Sequence, residues 1–130
     1  MNHLHMIMKA KSDHLSNNLE SHENWIKELV SGLEMKLLET KQGVNPISAF
    51  CDKEGNEGVT IACVIETSHI VLHTWPLKKE LQLDVYTCGT MDVDFITSHL
   101  QWFSPYDVDF KVFDREYELK EIGDIQCQNS

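Results

Sequence analysis

The sequence predicts an α+β fold: a two-layer sandwich in which an antiparallel β-sheet carries helices on one face. Three observations lead there. Short segments of strand character recur along the chain, three of them in succession between Val59 and Thr87. Two other stretches repeat apolar residues at helical spacing. The 130 residues, 42% hydrophobic and 25% charged, have the composition of one globular domain large enough for a single core.

Taken in order, His3 to Lys9 alternates, with Leu4, Met6 and Met8 on one side, and reads as a first strand. Ser12 to Ser21 is polar and turn-like. Trp25, Ile26, Leu29, Val30 and Leu33 share one helical face, which predicts a helix over about Ser21 to Gly32 with Ser21 as its cap. Glu34 to Leu38 reads as a short strand, Thr40 to Asn45 as a loop and Pro46 to Cys51 as another strand. Charges and glycines make Asp52 to Gly58 an exposed turn. Strands are expected over Val59 to Ile65, His69 to Trp75 and Leu81 to Thr87. In the second of these, Val71, His73 and Trp75 share one face and Ile70, Leu72 and Thr74 the other. Pro76 ends it, having no N–H to donate. Asp92 to Phe103 reads as a second helix capped by Asp92, and Val108 to Leu119 as one or two final strands. The tail from Lys120 is polar and expected to fray.

A net charge of −10 argues against nucleic-acid binding and favours the approach of small cations. No apolar run nears the ~20 residues of a membrane span, and Met1 to Lys11 lacks a signal-peptide core. A cytoplasmic protein is expected. The cysteines at 51, 63, 88 and 127 show no C-x-x-C spacing and read as reduced thiols, Cys63 as a small buried hydrophobe and Cys127 as exposed. His3 and His5 would share a strand face, as would His69 and His73, the latter pair ~13 Å apart. No compact group of three or four ligands stands out, so no metal is expected.

The most specific signal is the run Ser68-His69-Ile70-Val71-Leu72-His73-Thr74-Trp75-Pro76, followed by Asp84-Val85-Tyr86-Thr87-Cys88-Gly89. A serine hydroxyl can attack the carbonyl of the residue before it, shifting the acyl group from nitrogen to oxygen. That step needs the developing oxyanion stabilised and a proton moved. Elimination then leaves a dehydroalanine, which hydrolyses to a pyruvoyl group and ammonia. Such a group takes up the electron pair released when carbon dioxide leaves a substrate amine bound to it.

This run resembles the signature of the prokaryotic S-adenosylmethionine decarboxylase proenzymes, which are pyruvoyl enzymes. The spacings from Ser68 to His73 and to Cys88 match that family. The resemblance implies self-cleavage between Thr67 and Ser68 into residues 1–67 and 68–130. It implies a covalent pyruvoyl cofactor made from Ser68, with neither metal nor pyridoxal phosphate. His73 would assist processing, and Cys88 would donate the proton in turnover. Thr60 stands where the family has a serine that helps processing. Ile70, Trp75 and Phe50 would contact substrate, and the enzyme would be a homodimer. The implied substrate is a small cation: S-adenosylmethionine first, with L-ornithine or L-arginine as the alternative within the family. A homologue that never cleaves and only binds or regulates is the alternative of another class.

The chain departs from the family pattern at three places. Thr67 replaces the glutamate at the cleavage bond, with Glu66 one residue earlier. Leu77 replaces the glutamate that accepts hydrogen bonds from the substrate ribose; Glu80 is the nearest acid that could serve instead. The upstream loop lacks the phenylalanine that stacks on adenine, leaving Phe50 as the nearest aromatic. Asp52, Glu54 and Glu57 could meet a cationic side chain there.

Overall fold

The computed structural model describes residues 3–122. Among them, seven strands form one antiparallel sheet in the order β2-β3-β4-β5-β1-β6-β7. They are β1 (Leu4–Lys11), β2 (Ile47–Cys51), β3 (Gly58–Ile65), β4 (Ser68–Trp75), β5 (Glu80–Thr87), β6 (Tyr106–Asp114) and β7 (Lys120–Ile122). The helices are α1 (Leu19–Gly32) and α2 (Val93–His99). This is the expected α+β architecture.

Strand alternation decides which face is covered. Leu4, Met6, Met8 and Ala10 of β1 are buried, as are Ile70, Leu72 and Thr74 of β4 and Leu81, Leu83 and Val85 of β5. They pack with Trp25, Ile26, Leu29 and Val30 of α1 and with Ile96 of α2 in one core. The opposite face carries the intervening residues: His5, Ile7, His69, Val71, His73, Trp75, Gln82, Asp84 and Tyr86. No helix among the described residues covers that face. None is long and apolar enough to cross a membrane.

Several boundaries differ from expectation. The α1 cap is Asn18, not Ser21: Asn18 Oδ1 accepts the Ser21 N–H at 2.9 Å, which places Ser21 inside the first turn. Glu34 to Leu38 does not become a strand; a single bridge joins Leu37 to Ile65. The Asn45 side chain explains this, because its Oδ1 accepts from Val64 N–H and its Nδ2 donates to Val64 O, at 3.0 and 2.7 Å. It shares that edge with Leu38, whose N–H also donates to Val64 O at 3.0 Å and whose carbonyl accepts from Asn45 Nδ2 at 2.8 Å, so pairing stops at one bridge. The second helix is capped by Asp92 as expected, but after His99 it tightens into a 3₁₀ turn over Leu100–Phe103. Lys120–Ile122 forms β7 against Val112–Asp114 rather than fraying. Cys127 lies outside the described residues.

Gly58 is required by close approach of backbone. A Cβ at Gly58 would lie 1.8 Å from the Thr74 carbonyl oxygen, so only glycine lets β3 begin against the end of β4. The two strands then pair with Thr60 opposite His73 and Ile65 opposite Ser68.

Candidate active site

The β3–β4 connection is a two-residue hairpin loop, Glu66-Thr67, which puts Ser68 at the first position of β4. Thr67 has φ 47°. A β-branched residue at positive φ is a steric outlier, with a typical cost of about 1–3 kcal/mol. The strain therefore sits next to the bond that the sequence marks for cleavage.

Cys88 follows directly on β5 and reaches this turn. Thr67 Oγ1 lies 2.9 Å from Cys88 Sγ. Ser68 Oγ donates to the same sulfur at 3.7 Å and accepts the Cys88 backbone N–H at 3.2 Å. These hydroxyls, Thr67 first and Ser68 second, hold the Cys88 thiol below the ordinary thiol pKa by stabilising the thiolate. Cys63 is the opposite case: it is buried on β3, and desolvation pushes its thiol up to about 12.

His73 and its partners form a second group at the other end of β4. His73 Nδ1 pairs with Thr60 Oγ1 at 2.9 Å across the β3–β4 ladder. Its ring stacks on Trp75, with centroids 5.9 Å apart, and Trp75 Nε1 donates to Asn56 Oδ1 at 3.0 Å. Five residues of strand at ~3.3 Å each put His73 roughly 17 Å along the strand from Ser68. The two residues also project to opposite faces. Within one chain, the structure does not bring His73 to Ser68.

Two expected substrate contacts meet a physical obstacle. Ile70 is wholly buried in the core under β4, so its side chain reaches no ligand in this protomer. Phe50 pairs with Val59 on the edge strand β2, and its neighbour Ser48 hydrogen-bonds Glu23 of α1. By strand parity, Phe50 therefore lies on the helix side of the sheet, away from His73 and Trp75. Leu77 is 70% exposed just past the end of β4. Glu80 stands opposite Trp75, with its carboxylate already near Lys11 Nζ at 3.9 Å and accepting from Gln82 Nε2 at 3.1 Å.

Sequence reading missed a third group. His5 on β1 and His69 on β4 both stand opposite Tyr86 of β5, and Asp84 lies two residues along that strand on the same face. Asp84 Oδ1 is 2.7 Å from His5 Nε2 and 3.1 Å from His69 Nε2. The expectation that no three ligands come together is thus corrected: the three ligand atoms lie within 4.8 Å of one another. Period-two alternation alone places each of these residues on the open face. Only the register of three strands makes them neighbours. His3 joins Tyr86 OH instead, at 2.9 Å.

Fold and site together define a two-layer α+β protein with a serine and a cysteine facing each other at a strained hairpin. The comparisons give that class its family. The S-adenosylmethionine decarboxylase family profile matches residues 3–116, and the chain belongs to that family. An S-adenosylmethionine decarboxylase proenzyme of Hydrogenobaculum sp. is 43% identical over 63 residues, 45% of each chain. One from Methanococcus maripaludis is 28% identical over 123 residues, covering 92% of this chain and 99% of the relative. The crystal structure of the Aquifex aeolicus adenosylmethionine decarboxylase superposes with a TM-score of 0.70 at 19% identity, covering 95% of this chain and 98% of that one. At that identity the likeness establishes the fold.

Proposed function

We propose that the chain is a proenzyme that cleaves itself between Thr67 and Ser68 and becomes a pyruvoyl-dependent decarboxylase of S-adenosylmethionine. The observation that carries this reading is the hairpin, where Thr67 at φ 47° precedes a Ser68 hydroxyl flanked by the Cys88 N–H and Sγ. The N–H positions the Ser68 hydroxyl and favours loss of its proton, while the negative charge of the attack itself grows on the Thr67 carbonyl oxygen. The strain at Thr67 is relieved when the bond to Ser68 nitrogen breaks. The thiol lies close enough to move a proton at this atom.

These residues fit a pyruvoyl group at position 68, since the same Cys88 that touches Ser68 Oγ would face the new carbonyl. When formed, the group supplies an electrophilic carbonyl and an electron sink for loss of carbon dioxide. Cys88, its thiol held below its ordinary pKa by the Thr67 and Ser68 hydroxyls, then serves as the proton donor to substrate carbon. Family membership favours S-adenosylmethionine as substrate, and its product would serve as an aminopropyl donor for polyamine synthesis. Leu77 supports a second reading within the family, decarboxylation of L-ornithine or L-arginine. Its exposed side chain has no acceptor for ribose hydroxyls, and an unpaired buried hydroxyl costs about 1–3 kcal/mol.

The proenzyme is proposed to act as a homodimer. His73 and Thr60 sit roughly 17 Å from the Ser68 of their own chain. Among the described residues the open sheet face has no helix over it and mixes exposed apolar residues, Ile7, Ile47 and Val64 at 43%, 50% and 43%, with polar ones such as His69, Gln82 and Asp84, so it offers a surface for a second copy. A twofold axis normal to β4 lays the His73 end of one copy over the Ser68 end of the other.

Intact mass tests the cleavage. Wild-type protein should separate into residues 1–67 and 68–130, the second bearing a carbonyl that borohydride reduces, while Ser68→Ala stays whole. A wild-type chain that remains in one piece would end this reading. Carboxyl-labelled S-adenosylmethionine, ornithine and arginine, offered separately to the processed protein, identify the substrate by which one releases labelled carbon dioxide.

A further inference from the structure

The open face holds a cluster that the proposed reaction does not use: His5, His69 and Asp84, on three strands that are consecutive in the sheet. We propose that these three residues form a binding site for a divalent transition ion of the zinc class, clamping β1, β5 and β4 together.

The donor set is the first support. Two imidazole nitrogens and one carboxylate oxygen are the ligands that such borderline ions prefer, and three protein ligands leave a fourth position open to water. Geometry is the second. Tetrahedral ligands at about 2.0–2.2 Å from an ion lie roughly 3.3–3.6 Å from one another. The Asp84 oxygen is already 2.7 and 3.1 Å from the two nitrogens, and no pair exceeds 4.8 Å. Small side-chain rotations therefore complete the site without moving the backbone.

The surroundings point the same way. Both rings are braced by Tyr86, edge-on to His5 at 5.9 Å and stacked with His69 at 5.5 Å. The cluster is half-exposed, with the side chains of His5, Asp84 and His69 at 21%, 36% and 43%, so an ion can reach it from solvent. The chain's charge of −10 favours any cation. One group opposes: Arg115 lies 3.4 Å from His5 Nδ1. An ion at Nε2 requires the ring hydrogen on Nδ1, so this weak contact must be given up on binding. The same guanidinium already rests over the Tyr86 ring at 4.6 Å, where it can stay. Loading replaces the two Nε2–H···Oδ1 hydrogen bonds with metal–ligand bonds. Each ring hydrogen moves to Nδ1, and no oxidant or reductant is involved.

The test uses tag-free, assembled protein and Co²⁺ as the probe. One Co²⁺ per chain should bind, with the visible absorption of an ion held by nitrogen and oxygen donors. Zn²⁺ should displace it and raise the thermal midpoint. His5→Ala and Asp84→Asn should each weaken binding at least tenfold. Binding of unchanged strength in both variants would overturn the proposal. A second readout avoids any folding defect in the variants: in wild-type protein, Zn²⁺ should shift the Nε2 resonances of two histidines. If no histidine nitrogen shifts, the site does not exist.

Discussion

Cys88 shows how much of a residue's chemistry comes from its neighbours. Its place before Gly89 marks it out in the sequence, but the reason for its lowered pKa does not. That reason is Thr67, the residue that replaces the family's glutamate at the cleavage bond. Its hydroxyl is 2.9 Å from the sulfur and is the largest cause of the shift; Ser68 comes second, while nearby Glu66 opposes both. A glutamate carboxylate in that place would have added negative charge instead. The sign follows: removing the Thr67 hydroxyl destabilises the thiolate, so the thiol pKa rises. In the uncleaved Ser68→Ala background, adding Thr67→Val should move the pH profile of iodoacetamide alkylation of Cys88 to higher pH. An unmoved profile would show that the hydroxyl does not act on the sulfur. Cys63, buried with a thiol pKa near 12, should stay unlabelled in the folded protein throughout and so serves as an internal control.

At the scale of elements, alternation and capping made most of the fold legible. β1, β3, β4, β5 and both helices lie within a few residues of where the pattern puts them, because each presents one apolar face to a single core. What stayed hidden depended on partners distant in sequence. Nothing local reveals that the Asn45 amide joins Leu38 on the Val64 backbone and so limits residues 34–38 to a single bridge. The α1 cap is a local exception: Asn18 and Ser21 are equally good caps by type, and the Asn18 Oδ1 that accepts the Ser21 N–H decides between them. The site divides the same way: the family-like run singles out Ser68, Cys88 and His73, but the closeness of Cys88 to Ser68, the separation of His73 from it and the His5–His69–Asp84 group all needed the register of the strands. Register also makes Gly58 indispensable. A methyl group there meets the Thr74 carbonyl at 1.8 Å and must push β3 and β4 apart where Thr60 meets His73. Overpacking against backbone costs about 1–3 kcal/mol, and here it falls on a central strand pair. Gly58→Ala in the Ser68→Ala background should lower the urea midpoint accordingly, with little change in slope. An unaltered midpoint would mean that the strand start is not held as described.

For the whole molecule, the decisive fact is that β4 carries two chemical groups on opposite faces and at opposite ends. The hairpin end has Ser68, Thr67 and Cys88; the other has His73, Thr60 and Trp75. No side-chain rotation spans roughly 17 Å of strand, so the part in cutting the Thr67–Ser68 bond that we propose for His73 is one it would play from another copy. The uncovered sheet face supplies a surface on which a twofold pair can do this. The consequence is genetic as well as structural. Ser68→Ala has no nucleophile but keeps its histidine; His73→Ala keeps its nucleophile but lacks the histidine. Expressed alone, the first should remain uncut and the second should cut slowly or not at all. Expressed together, mixed dimers contain one intact pairing, the Ser68 of the His73→Ala chain beneath the His73 of the Ser68→Ala chain. Cleavage should then return, confined to the His73→Ala chain and limited to about half the dimers at equal expression, as random pairing of two subunits dictates. Intact mass of the co-expressed pair reads this directly, since the two chains differ in mass. If the His73→Ala chain cuts no faster beside Ser68→Ala than alone, while each variant still forms dimers on sizing, His73 does not act across the interface.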